Sequence, residues 1–217
     1  MKKKSNVMIL MGLLLIAAAL FWSGRNVLLD YRASMQSQQV MEKLQTIIPK
    51  VSQRQVVSTN PTADEEDALR SAEEMDIPDY ILDPSMEMPT QTIDGLEYIG
   101  YLSIPTLELE LPIVSKCSYG ALNVAPCRYY GSAYCDNMVI AGHNYSGHFS
   151  TLRSVKEGAH VTFTDVDGNV FSYEVALLEI LSADAIEEMT QSSFDLTLFS
   201  CTVGGQYRVA VRCNRIP

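Results

Sequence analysis

From Tyr98 onward the chain is written in short strands, and this constrains the fold more than any other feature. Tyr98 to Pro105 (YIGYLSIP) and Leu107 to Leu111 (LELEL) alternate at period two, and Met138 to Ala141 is a short apolar run. His160 to Thr164 and Val170 to Val175 flank the polar turn Asp165-Val166-Asp167-Gly168-Asn169. Leu196 to Val203 and Tyr207 to Cys213 flank Gly204-Gly205. Such paired runs around glycine turns read as hairpins. Only Thr151 to Lys156 and Ala183 to Thr190 have a helical texture. Many short strands with few helices predict an all-β barrel or sandwich.

The N-terminal part obeys different rules. Val7 to Trp22 is an uncharged, almost wholly apolar run preceded by Lys2, Lys3 and Lys4 and followed by Arg25. As a helix it would span about 24 Å, short for a ~30 Å bilayer core but within reach when flanking cations snorkel. The lysines place the N-terminus on the cytoplasmic side and the chain beyond Arg25 outside. Ala17-Ala18-Ala19 formally offers a cleavage site, yet Leu20-Phe21-Trp22 continue the apolar run, so an uncleaved signal anchor is expected. Leu28, Tyr31, Met35, Met41, Leu44 and Ile48 recur at roughly helical spacing up to Pro49, which predicts a helical stalk.

Of the net charge of −10, most falls within residues 64–97, where twelve acids face Arg70 alone. That stretch reads as a solvated spacer, with Asp79 to Met88 folding back as a lid in a minority reading. The absence of a basic footprint excludes a nucleic-acid partner. The expected organisation is a cytoplasmic tip and anchor over 1–25, a stalk over 26–49, an acidic linker over 50–94 and a β-domain over 95–217.

Few residues in that domain can carry chemistry. Cys201 ends a strand-like run before the Gly-Gly turn, His143 follows the end of another, and Arg208 opens the strand after the turn. A thiol and an imidazole far apart in sequence suit a nucleophile with its acid/base partner, and a nearby guanidinium suits an oxyanion. Arg212, on the same strand face, is the rival for the arginine role.

Three segments together resemble the signatures of the sortases: Met138-Val139-Ile140-Ala141-Gly142-His143-Asn144, Leu196-Thr197-Leu198-Phe199-Ser200-Cys201, and Arg208-Val209-Ala210-Val211. Tyr98 to Ile113 looks like the opening strands of the same fold, so the resemblance covers about residues 95–217. It implies an eight-stranded sortase-type β-barrel with one or two short helices, preceded by a transmembrane helix and stalk, on the outer face of a Gram-positive membrane. It further implies a cysteine transpeptidase with Cys201 as nucleophile, His143 as acid/base and Arg208 as the oxyanion and substrate-positioning residue. Asn144, Ser200 and Thr202 would contact substrate. The implied partners are a sorting-signal peptide of a secreted protein and an amine of peptidoglycan or a pilin, with no metal or cofactor. Ser200 stands where the family commonly has Thr, and the link Thr202 to Tyr207 is very short, which implies an open groove.

Other readings stay open at this level. Water could resolve the thioester, making a thiol hydrolase, or the barrel could be a membrane-anchored binding module. His148 reads as an exposed loop histidine and His160 as a surface position, while Tyr145 and Phe149 are candidates to line the groove or, for Phe149, to pack inward. Cys117, Cys127, Cys135 and Cys213 allow three disulfide pairings with no preference among them. Asp165, Asp167 and Asn169 resemble half a calcium loop without its glutamate and read as a plain turn.

Overall fold

The computed structural model describes residues 2–49, 77–202 and 204–217, with side chains from Met8 onward. The acidic stretch around Asp64-Glu65-Glu66-Asp67 lies outside these residues. Nine strands succeed one another in the β-domain: β1 (Gln91–Ile93), β2 (Leu96–Ile104), β3 (Leu109–Val114), β4 (Cys127–Tyr130), β5 (Met138–Gly142), β6 (His160–Asp165), β7 (Val170–Ser182), β8 (Leu196–Cys201) and β9 (Tyr207–Arg215). Their lateral order is β1-β2-β3-β4-β5-β8-β9-β7-β6, and β6 pairs back onto β2. That last pairing closes β2 to β9 into an eight-stranded barrel, which removes the exposed edges an open sheet would present. Strands β3–β4 and β5–β8 run parallel; the other ladders are antiparallel.

The short β1 lies outside the closed barrel, as a hairpin on β2. Ile93 pairs with Leu96 across the two-residue turn Asp94-Gly95, whose φ values of 49° and 83° are both positive. Asp-Gly is a strong local signal for such a turn, because both central residues must leave the usual backbone region. The spacer expected over 50–94 therefore already contains part of the β-domain.

Inside, period-two alternation delivers Leu102 and Ile104 of β2, Leu111 and Ile113 of β3, Ile140 of β5, Phe163 of β6, Phe171 and Tyr173 of β7, Leu198 of β8 and Val211 of β9 to one core. Gly100 allows β2 to cross close over β6: a Cβ there would lie 1.9 Å from the Thr164 carbonyl oxygen, and its φ is 146°. The segment Pro78 to Met88 also reaches this core. A one-turn helix, α2 (Asp79–Leu82), presents Tyr80, whose ring stacks on Tyr134 at 4.7 Å and touches Phe171 at 5.3 Å, while Met88 is buried.

Helix α1 (Lys2–Ile47) runs through the expected anchor and stalk as one continuous element. Its N-terminal half is long and apolar enough to cross a membrane. Its C-terminal half lies on the barrel, with Ala33, Ser37, Val40, Met41 and Leu44 buried, as is Ile48 just past its end. Val40, Leu44 and Ile48 pack with Ile93, Tyr98, Val114 and Cys127, and Lys43 Nζ reaches both carboxylate oxygens of Asp94 at 2.9 and 2.7 Å. The docked face differs from the expected stripe: Leu28, Tyr31 and Met35 are exposed. Small residues, Ala33 and Ser37, are what allow the close approach. Two further one-turn helices are α3 (Tyr119–Leu122), capped by Ser118, and α4 (Ile186–Thr190). Residues 95–217 thus hold two short α-helices, within the one or two expected, and α2 precedes them. Leu152–Ser154, expected as helix, is a single 3-10 turn.

Candidate active site

Strand register brings the three motif residues to one level of the barrel. In the parallel β5–β8 ladder Gly142 pairs with Ser200, so His143 and Cys201 each stand one residue beyond that pair. In the antiparallel β8–β9 ladder Cys201 pairs directly with Arg208. Alternation also sets the face. Ile140, Leu198 and Val211 point into the core, whereas Val139, Ala141, Phe199 and Ala210 form an outer apolar patch with Met189 of α4. His143, Cys201 and Arg208 continue the second series at two-residue steps, beside that patch. An apolar floor ending at a thiol, an imidazole and a guanidinium suits an extended peptide whose backbone carbonyl meets the polar end.

The side chains are placed for contact with something else. The His143 Nε2 atom is buried with no hydrogen-bond partner among the described residues, and burial holds the imidazole below its ordinary pKa. The Tyr145 ring lies 4.7 Å from the His143 ring, and Tyr119 meets it edge-on at 6.1 Å. Cys201 is half-buried and makes no side-chain hydrogen bond among the described residues. Arg208 Nη1 donates to the carbonyls of Gly205 at 3.0 Å and Tyr207 at 3.2 Å, which folds its guanidinium over the turn beside Cys201.

Arg212 is differently engaged. It is 2% exposed, with Nε on Glu179 Oε1 at 2.7 Å, Nη1 on Thr197 Oγ1 at 2.9 Å and Nη2 on the Glu188 carbonyl at 2.7 Å. Its donors tie β9 to β7, β8 and α4. Of the two arginines, Arg208 is the one that pairs with Cys201 across the β8–β9 ladder.

The neighbouring residues divide. Asn144 is exposed and, with Ser150, Arg153, Ser200, Cys201 and Thr202, lines a cavity of about 170 Å³ at the barrel mouth. Ser200 is buried on the face opposite Cys201, and its hydroxyl donates to the Cys201 carbonyl at 3.3 Å. Thr202 closes the turn: its N–H donates to the Tyr207 carbonyl at 3.0 Å, and its hydroxyl oxygen accepts from the Tyr207 N–H at 3.2 Å. Phe149 packs inward under Gly142, where a Cβ would stand 2.5 Å from its ring.

His148 is a correction. Expected as an exposed loop residue, it is fully buried, with Nε2 on the Val124 carbonyl at 3.2 Å, and burial pushes its pKa down to about 4. The tight turns between His143 and Ser150 fold it inward. Asp165 organises its turn by accepting from the N–H groups of Asp167 and Asn169, the Asn169 amide and the Tyr134 hydroxyl. The segment considered as a lid lies at the other end of the barrel: Tyr134 precedes the start of β5, whereas His143 follows its end. Sequence reasoning passed over Tyr119, although Ser118 is a helix-cap signal, and over Arg153, for which sequence offers no signal.

Known proteins share this architecture. Residues 102–216 match the sortase domain family. Sortase A of Bacillus anthracis is 29% identical over 124 residues, 53% of this chain, and the match spans 57% of that protein's length. Among solved structures, sortase C of Streptococcus pneumoniae is 26% identical with a TM-score of 0.50, over 62% of this chain and 78% of that one. Clostridium perfringens sortase C, solved with the C-terminal cell wall sorting motif, has a TM-score of 0.53 at 19% identity, over 71% of this chain and 96% of that one. The eight-stranded barrel and the family match coincide, and the chain belongs to the sortase family.

Proposed function

We propose that the protein is a membrane-anchored cysteine transpeptidase that cleaves a sorting signal of secreted proteins and transfers it to an amine of the cell wall or a pilin. The observation that carries this reading is the convergence of His143, one residue past the end of β5, with Cys201 and Arg208 of the adjacent strands β8 and β9, at one level of the barrel. Cys201 as thiolate attacks a backbone carbonyl of the signal, and Arg208 stabilises the oxyanion. The carbon–nitrogen bond breaks as His143 gives its proton to the leaving amine, leaving a thioacyl enzyme. An incoming amine, losing its proton to the now neutral His143, displaces the Cys201 thiolate and restores an amide. Each cycle exchanges one amide for another, so no external energy source is needed. Asn144 borders the path an incoming group would take, while Ser200 and Thr202 act by holding the strand end and turn on which Cys201 and Arg208 stand.

The apolar N-terminal half of α1 supports anchoring by a single span, with the barrel outside the cell. The crystallised partner of the C. perfringens relative supports a sorting-signal peptide as the class of substrate. The test is a peptide-library cleavage assay on the full chain in detergent, with and without oligoglycine. Amide products that require added amine, lost in Cys201→Ala and His143→Ala and severely reduced in Arg208→Ala, are expected. Hydrolysis unaffected by amine indicates a thiol hydrolase, and turnover by Cys201→Ala overturns the assignment.

A further inference from the structure

We infer that Asp30, on the helix that leads out of the apolar segment, is a positioning residue for the loop that carries His143; the inference rests on the role of His143 proposed above. Asp30 belongs to the docked face of α1. Residues 30, 33, 37, 40, 44 and 48 succeed one another at steps of three and four, one stripe along a helix. Five of them are buried apolar or small residues against the barrel; the sixth, at the end nearest the apolar segment, is a half-buried carboxylate.

Both oxygens of that carboxylate go to one residue. Asp30 Oδ1 accepts from the backbone N–H of Ser146 at 2.7 Å, and Oδ2 accepts from the Ser146 hydroxyl at 2.8 Å. One helical turn further on, Ser34 lies against Gly147 so closely that a Cβ on Gly147 would stand 2.5 Å from Ser34 Cα. The helix thus holds the loop by a two-point, charge-assisted grip and a backbone-close contact beside it.

The loop is built to pass that grip on. The Phe149 N–H donates to the His143 carbonyl at 3.0 Å, and the Tyr145 carbonyl accepts from the N–H groups of His148 at 3.0 Å and Ser150 at 3.2 Å. The Tyr145 ring, next to Ser146, rests against the His143 ring. A loop so cross-linked moves as a unit, and Ser146 sits at its tip. His143 follows the end of β5, so its side chain depends on this loop for orientation. A shift of about 1 Å in a catalytic group can cost about a hundredfold in rate.

The test uses the full chain in detergent micelles, with the peptide selected in the library assay and oligoglycine as amine. Asp30→Ala is expected to lower kcat about tenfold or more with KM within twofold, the scale of a lost charge-assisted hydrogen bond. It should also raise amide hydrogen exchange across 143–150. Asp30→Asn keeps an acceptor for the Ser146 N–H and a donor for its hydroxyl, and should restore most of both. Lys43→Ala, which cuts the α1–Asp94 contact at the far end of the helix, should leave kcat unchanged. Wild-type kcat in Asp30→Ala overturns the inference, and so does an equal loss in Asp30→Ala and Asp30→Asn. Turnover that survives Cys201→Ala defeats the function reading instead, and the exchange measurement still judges the grip.

Discussion

Two arginines four residues apart on β9 stand in different surroundings, and position alone separates them. Arg212 has its donors on Glu179, Thr197 and the carbonyls of α4. Arg212→Leu leaves those acceptors without partners and should cost about 3 kcal/mol, read as a lower denaturant midpoint. Arg208, over the turn beside Cys201, should behave inversely. Arg208→Ala should leave stability within about 0.5 kcal/mol and cut transpeptidation severely. His143 shows how surroundings tune a residue. Burial disfavours its charged form and lowers its pKa, which under the proposed mechanism shifts the activity limb governed by His143 toward acid. Tyr119→Ala admits water beside the ring, so the pKa should rise and that limb move to higher pH in a kcat/KM profile.

At the scale of elements, the helix and the segment before β1 serve the two ends of the barrel. Helix α1 lays a stripe of small and apolar residues on the outside and ends that stripe at the His143 loop. A stripe of this kind could equally have served self-association; here the chain's own β1, β2 and β3 cover it. Residues 77–88 close the opposite end through Tyr80, Met86 and Met88. Tyr80→Ala should therefore lower stability by about 2 kcal/mol, from lost apolar burial and aromatic stacking, and leave turnover unchanged. A change in peptide KM would show that this segment covers the active site after all.

For the whole molecule, barrel closure makes one main core answer for most of the strands, and a buried titratable group couples the fold to pH. His148 is fully buried with its pKa near 4, against about 6.5 in an unfolded chain. The unfolded state binds the proton more tightly, so stability is full above about pH 6.5 and falls as pH drops toward 4. The contribution lost is on the order of 3 kcal/mol. Urea titrations at pH 7 and about pH 4.5 should show this slope, and His148→Gln should flatten it.

The fold class was legible in the sequence because alternation and glycine turns are local: two residues decide a face, and Gly204-Gly205 decides a hairpin. The positions of Cys201, His143 and Arg208, the residues proposed above to carry the chemistry, were legible for the same reason, each lying at the end of a readable strand. Asp94-Gly95 carried an equally local signal for β1, which acidic composition obscured. The pairing of cysteines was not legible. Only the fold leaves all five as free thiols, none of the three pairings being formed, and sets the buried Cys127 thiol to donate to the Ala125 carbonyl at 3.3 Å. The burial of His148, the division between Arg208 and Arg212, and the grip of Asp30 on Ser146, 116 residues away, were likewise set by tertiary packing. Local pattern was enough to say which residues face in, which face out and where the chemistry could stand. Which partner each polar side chain meets depends on barrel closure and helix docking, contacts between segments far apart in the chain that no local pattern encodes.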